Sequence, residues 1–353
     1  MPILRSFLFL FGLLPAVPAL AQSDRREMEA LPHHLQVKVA AQDEVLLIGS
    51  GVRPAEAYLD QLKLWDSTEP VRVCFFGGDA ALRIRIRDIA MQWTQVGGQV
   101  PLDFGAEPIP PDCTGRGRYQ IRVGFEYRGY WSLVGRDSVN LAGQREQSMN
   151  FSKFNVAPPP SPEFDRIVLH EFGHAIGFEH EHQNILANCE GDFDWPAVYD
   201  YLKGPPNYWD VTRVDFNMRP RQVAAPAASS FDRTSIMLYT FPPEFYVNGE
   251  DAECYAPPNY VISDTDAAAM RQLYPADPAQ AAALRESALL NYEAFLSDID
   301  LTVAQRSAAS LLAAELQGGG GEGWSLASDF PWDWQGVEAL VLEGGDLSIQ
   351  DEM

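Results

Sequence analysis

The chain is poor in positive charge. Its 353 residues carry 26 Lys and Arg against 49 Asp and Glu, a formal net charge of −23 at pH 7. A surface of that sign repels polyanions, which excludes nucleic acid and anionic membrane as partners. The chain also lacks a second long apolar run. A membrane helix needs about 20 consecutive apolar residues. The one candidate, residues 7–17, is shorter, is broken by Pro15 and is followed by Pro18. With Arg5 before it and Ala19-Leu20-Ala21 behind it, residues 1–21 read as a signal peptide cleaved before Gln22. A soluble secreted protein, extracellular or periplasmic, is expected. Cysteine is scarce: Cys74, Cys113, Cys189 and Cys254 are all there is. In an exported chain four cysteines suggest two disulfides. Three connectivities are open; Cys74–Cys113 with Cys189–Cys254 is favoured, because each pair then stays on one side of a central helix. Internal repeats and Gly/Asp-rich calcium repeats are lacking as well.

Histidine is scarce too, but it is concentrated: four of the six lie between residues 170 and 182. The stretch His170-Glu171-Phe172-Gly173-His174-Ala175-Ile176-Gly177-Phe178-Glu179-His180 has the pattern H-E-x-x-H-x-x-G-x-x-H. On a helix, His170 and His174 lie one turn apart on one face. Two imidazoles so placed can hold one Zn²⁺ at about 2.0–2.1 Å each. Gly177 can take positive φ and turn the chain, which brings His180 back as a third ligand. Three neutral nitrogens leave a coordination position open, the mark of a catalytic site. Glu171 is then placed to act as general base on a zinc-bound water. His182 reads as a residue outside the ligand set.

The eleven-residue pattern resembles the metzincin zinc endopeptidases, whose further hallmark is a Met-turn beneath the metal. Ser235-Ile236-Met237-Leu238-Tyr239 matches such a turn. The run of residues 177–182 and this turn are most similar to the astacin branch. The resemblance implies that Met237 forms an apolar floor under the metal. It implies that Tyr239 stabilises the transition state and that Glu181 anchors a processed N-terminus. The activity implied is hydrolysis of peptide bonds in a protein or peptide substrate, with Zn²⁺ as cofactor. Gln183-Asn184-Ile185 and Leu238 depart from the astacin pattern. A matrixin-like metzincin is therefore the alternative branch. A zinc-stabilised binding module without catalysis is the alternative of another class, and Glu171 argues against it, since a structural site has no use for a base.

The expected fold class is α+β. It comprises a twisted mixed sheet, an active-site helix and a C-terminal subdomain carrying the Met-turn. Residues 22–66 read as a prosegment or N-terminal extension that covers the cleft, with alternating apolar positions over 36–48 and helical spacing over 54–65. Zymogens of the metzincin clan place a Cys or an Asp on the zinc. No cysteine precedes Cys74, which excludes a cysteine switch in that segment. Phe76-Gly77-Gly78-Asp79 resembles the astacin aspartate pattern F-x-G-D. It lies, however, between a strand at 71–75 and a helix at 80–95, so it reads as a strand-to-helix turn. Short strands are expected at 119–125, 130–134 and 148–151. Met149-Asn150-Phe151 is the candidate edge to which an extended substrate adds. Ser161 is a candidate N-cap for the zinc helix, and Ser263 caps a closing helix ending near Tyr274. The catalytic domain is set at 67–275. Residues 276–353 form an acidic extension, with helices to 317, a Gly linker at 318–321 and a tail holding Trp324, Trp332 and Trp334.

Overall fold

Val71, Val73 and Phe75 occupy alternate positions of strand β1 (Val71–Phe75) and are all buried. Cys74, on the opposite face, is buried as well, so of this strand only Arg72 is exposed. In the computed structural model, residues 25–47, 63–67, 69–114, 117–184, 186–220 and 231–298 are described. Helix α1 (His33–Leu47) comes first and β1 follows. After β1 come α2 (Ala80–Ala90), β2 (Leu102–Asp103), β3 (Ile121–Gly124) and β4 (Tyr130–Ser132). The short helix α3 (Asp137–Asn140) leads to β5 (Met149–Phe151) and then to α4 (Glu163–Ala175), which carries the first two histidines of the motif. Helices α5 (Trp195–Lys203), α6 (Val211–Met218), α7 (Asp264–Leu273) and α8 (Pro278–Asp298) complete the described residues.

The five strands form one sheet in the order β2-β1-β3-β5-β4. All neighbours are parallel except β4 and β5, which are antiparallel. This is the expected mixed α+β architecture, with one correction. Met149–Phe151 is not the edge. Tyr130–Ser132 folds back onto it, pairing Trp131 with Asn150, and becomes the outer strand on that side. Asn150 Nδ2 donates to the carbonyls of Tyr127 and Gly129, so the turn before β4 is tied to β5.

Helix α4 packs its apolar face against the sheet and α2. Phe164, Ile167, Val168 and Phe172 are buried in one cluster with Val73, Ile86 and Trp93. The Trp93 indole donates to Leu169 O at 2.9 Å, satisfying a polar group inside the core. Asp79 caps α2 through Leu82 N, as a strand-to-helix turn at 76–79 demands. Ser161 does not cap α4. Its hydroxyl donates to the Asp165 carboxylate at 3.0 Å instead, leaving Pro162 at the helix start. Ser263 and Asp266 form a reciprocal capping box on α7.

Beyond α4 a second apolar cluster holds Phe193, Val198, Trp209, Val214 and Phe245 around the Cys189–Cys254 disulfide. The other disulfide joins Cys74 to Cys113. Both pairings are those expected. Of the aromatics in this region, Trp209 belongs to the local core, whereas Tyr208 is exposed. Lys63 to Asp66 belong with the main body: Trp65 is buried, and its indole donates to Ala175 O at 2.7 Å. Residues 36–47 are helical rather than extended. Leu35 and Val39, one turn apart on α1, seat on Trp131, Leu133 and Leu141, a contact that alternation would not provide. Among the described residues no helix is long and apolar enough to cross a membrane. The expected signal peptide, the 54–62 part of the helical pattern, the Gly linker and the Trp-containing tail lie outside the described residues.

Candidate metal centre and active site

Helix α4 ends because Gly177 takes φ +107°, a conformation that L side chains avoid. Phe178 N donates to Gly173 O at 3.0 Å and Gly177 N to His174 O at 2.8 Å. This pair of bonds is the Schellman closure of a helix C-terminus. The chain reverses there and carries His180 back toward the face of His170 and His174. A Cβ on Gly177 would meet Leu64 Cδ2 at 2.7 Å, so the bend is closed by packing as well as by φ. Gly177→Ala is expected to cost at least about 1–2 kcal/mol. For a chain of this size that lowers the melting midpoint by roughly 2–8 °C. An Ala variant with an unchanged thermal transition would show that the bend does not depend on glycine.

The three imidazoles converge. His174 Nε2 lies 3.0 Å from His180 Nε2, and the His170 and His174 rings are 4.8 Å apart, edge to face. His170 Nδ1 is 2.7 Å from Ile236 O, and His174 Nδ1 is 2.7 Å from Phe178 O. Only a protonated Nδ1 can donate to a carbonyl; in the neutral ring that donation leaves the Nε2 lone pair facing inward, the tautomer a metal ligand needs. His180 Nδ1 faces Gln183 Oε1 at 3.3 Å. Burial, with the neighbouring His174, pushes His180 down to about 4, so it is neutral at physiological pH.

A fourth donor completes the group. The Glu29 carboxylate stands 3.2 Å from His170 Nε2 and 3.5 Å from both His174 Nε2 and His180 Nε2. Four ligands at about 2.0–2.1 Å from one tetrahedral centre are about 3.3–3.4 Å from each other. The spacings of 3.0–3.5 Å lie around that value, with one Glu29 oxygen facing His170 and the other facing His174 and His180. His170 Nε2 is a buried nitrogen left without a hydrogen bond, with a Glu29 oxygen 3.2 Å away. The donor set of three imidazoles and a carboxylate suits zinc. By these tests the residues fit a metal ion.

Glu171 is buried beside the group. Burial first, then the charge and hydrogen bond of Glu29, push its carboxyl well above the usual range, against a smaller pull from Arg166. Burial would also raise Glu29. Attraction to His170 and contacts with the three imidazoles outweigh it and hold Glu29 well below that range.

Under the group, the Met237 sulfur presses on α4: a Cβ on Gly173 would meet it at 2.3 Å. Met237 O accepts from Glu181 N, which ties the Met-turn to the segment holding His180. Asp266 accepts from Ser235 Oγ and Ile236 N, fixing the turn to α7. The Tyr239 ring lies 4.6 Å from that of His180 and 5.4 Å from that of His170, and its buried hydroxyl has no hydrogen-bond partner.

Among solved structures, myroilysin is 30% identical to this chain, covering 61% of it and 97% of its own length, with a TM-score of 0.52. This chain belongs to the astacin-like metzincin zinc proteases. A second structure of myroilysin is 27% identical over 71% of this chain and 99% of its own, with a TM-score of 0.44. High choriolytic enzyme 1, a hatching enzyme zinc-protease from Oryzias latipes (medaka fish), is 13% identical over 57% of this chain and 87% of its own, with a TM-score of 0.37. No protein-family model and no curated protein sequence matches the chain.

For an astacin-like protease the placement of the expected residues is direct. His170, His174 and His180 come together, with Glu171 beside them and Tyr239 over them. His182 lies outside the group and donates from Nε2 to Asn217 O at 3.0 Å. Glu181 accepts from Asp232 N at 3.0 Å, and burial raises its carboxyl to about 7. Asp79 stays at its helix cap, away from the metal group. Glu29 is the residue that sequence reasoning missed. Nothing in Met28-Glu29-Ala30 marks a ligand; only the expectation that residues 22–66 cover the cleft pointed to that part of the chain.

Proposed function

We propose that this zinc protease is a secreted endopeptidase that hydrolyses internal peptide bonds of proteins, using Glu171 as general base and acid. The observation that carries the reading is the convergence of three inward-facing Nε2 atoms beside a buried carboxylate. His170, His174 and His180 hold the metal. Zinc bound there supplies Lewis acidity, polarising a carbonyl and acidifying water. Glu171 takes the proton of the attacking water. As the C–N bond breaks, it delivers that proton to the leaving amine nitrogen, and its carboxylate is restored. The Tyr239 hydroxyl, which has no competing partner, donates to the carbonyl oxygen as negative charge develops there. The nearness of Tyr239 to His180 supports the astacin-type role over a matrixin-type site. Outer strand β4 offers its backbone to an extended substrate, which would add as a further strand. The two disulfides and the acidic surface support a secreted setting.

The secreted form, freed of its N-terminal segment, is to be incubated with a peptide library with and without a chelator, and the products sequenced. Internal cuts that a chelator stops are expected, slowed at least tenfold in Tyr239→Phe, roughly the loss of one oxyanion donor or somewhat less. Cuts only at chain ends, or cuts indifferent to the chelator, would overturn the reading.

A further inference from the structure

We infer that the end of α5 is a substrate subsite that takes an arginine side chain, so that the protease favours peptides with arginine about four residues from the bond it cuts. The inference rests on the peptidase reading above, in which the N-terminal segment has left the cleft, and names a substrate class for that same site.

Three observations carry it. First, the α5 end is built around a guanidinium. Arg25 Nη1 donates to the carbonyls of Asp200 and Tyr201 at 3.0 Å, and Nη2 donates to Asp200 Oδ2 at 3.1 Å. The Tyr201 ring lies 5.1 Å from Arg25 Cζ, and the Arg25 side chain is only 15% exposed. The last carbonyls of a helix lack the N–H donors of a next turn and carry the negative end of its dipole, so they favour a cation. Gly204 makes the room. Its φ of −83° and ψ of 173° are open to any residue, so the backbone there does not call for glycine. A Cβ on Gly204 would meet Arg25 Nη1 at 2.3 Å and no other atom closer than 3.4 Å.

Second, the wall beside this seat reads main chain rather than side chains. Arg26 N donates to Tyr201 Oη at 2.6 Å. Asn207 Oδ1 accepts from Met28 N at 2.7 Å, and Asn207 Nδ2 donates to Arg26 O at 3.0 Å. Any extended peptide offers N–H and C=O groups at such spacing, so these contacts do not depend on the sequence of the segment. Third, the wall leads to the metal group. Met28 is lodged in the second cluster, and its neighbour Glu29 stands 3.2 Å from His170 Nε2. A peptide on the wall is thereby delivered to the centre, and the spacing from seat to metal is the same in either chain direction.

The wall is set by its own contacts. Asn207 N and Tyr208 N donate to Gly204 O at 3.1 and 3.0 Å, and Trp209 N donates to Leu202 O at 2.9 Å. Tyr201, Leu202 and Trp209 are buried in the cluster around the Cys189–Cys254 disulfide. A seat held in shape this way costs little ordering when a new arginine enters. The net charge of −23 draws basic peptides toward it.

The test uses the metal-loaded protease as secreted, with N-terminal sequencing to show that Arg25 is gone. The probes are peptides sharing one cleaved bond, with a single arginine or citrulline at successive positions on either side. Citrulline keeps the shape of arginine but loses the charge and puts an oxygen where a donor is needed. At one position, about four residues from the cut, arginine is expected to raise kcat/KM at least about tenfold over citrulline, the low end for hydrogen bonds to a charged group. Gly204→Ala fills the seat and should reduce that ratio at least about fivefold, the low end of the cost of overpacking. Asp200→Asn, at an exposed carboxylate, should reduce it about two- to fivefold, and decides the matter if Gly204→Ala misfolds. Equal rates for arginine and citrulline at every position would overturn the subsite and leave the peptidase reading standing. So would a ratio that the folded variants leave unchanged, since arginine is then read elsewhere, or a secreted protease that cuts while Arg25 is still in place. A metal-loaded enzyme that cuts no peptide and no protein would sink both.

Discussion

Glu171→Gln, in the chain freed of its N-terminal segment, is expected to keep its metal and lose about 10²–10⁴-fold in kcat/KM, the usual contribution of a positioned acid–base group. Glutamine has the shape of glutamate and keeps a hydrogen-bonding side chain in a pocket that is 1% exposed. It cannot take a proton from water at any working pH, nor return one to the amine. The ligands are untouched, because Glu171 is not one of the four donors grouped around the centre. Metal content by atomic spectroscopy and kcat/KM on one peptide are measured on the same sample. Wild-type turnover by this variant would remove Glu171 from the mechanism. Loss of metal would mean that the carboxylate holds the ligands in place rather than moving a proton.

His174→Ala is expected to abolish metal binding and cleavage together. His174 serves the centre in two ways. Its Nε2 faces His180 and Glu29, and its Nδ1 holds Phe178 O, the residue that closes the helix end. Alanine removes a ligand and also loosens the turn that delivers His180. The fall in affinity should exceed the roughly 10–100-fold typical of losing an outer partner of a ligand. Linkage gives a second readout. Metal at 100 times its Kd stabilises the fold by about 2.7 kcal/mol, so chelation lowers the wild-type melting midpoint. The alanine variant should melt at one temperature with or without the chelator. His182→Ala is the contrast: its ring is tied to Asn217 O, outside the group, and metal should stay. Retention of metal by His174→Ala, measured by competition with a chelating dye, would sink the assignment of the triad.

The two halves of the site share one apolar cluster. The ligands of α4 stand on a helix whose other face is locked into it through Phe164, Val168 and Phe172. The Met-turn buries Ile236 and Met237 in the same cluster and is pinned further by polar contacts, with Asp266 accepting from Ser235 and Ile236. Asp266 is itself buried, and burial raises its carboxyl while those donors lower it. A buried carboxylate with several donors fixes a backbone turn more sharply than apolar packing alone.

Residues 170–180 determined the metal triad by themselves. A 3.6-residue period puts His170 and His174 on one face, and only glycine at 177 lets the helix close and reverse at once. The caps at Asp79 and Ser263 and the two disulfides were equally legible, because each depends on residue chemistry at short or simple spacing. Tertiary structure alone decided that β4 rather than β5 is the outer strand, that residues 36–47 are helical and that Tyr239 overhangs His180. It alone brought Glu29 to the metal group. These depend on which surfaces bury each other: Leu35 and Val39 find Trp131, and Arg25 finds the end of α5. Glu29 and His170 are separated by all five strands of the sheet in sequence, and no local pattern encodes a contact that the intervening fold has to assemble.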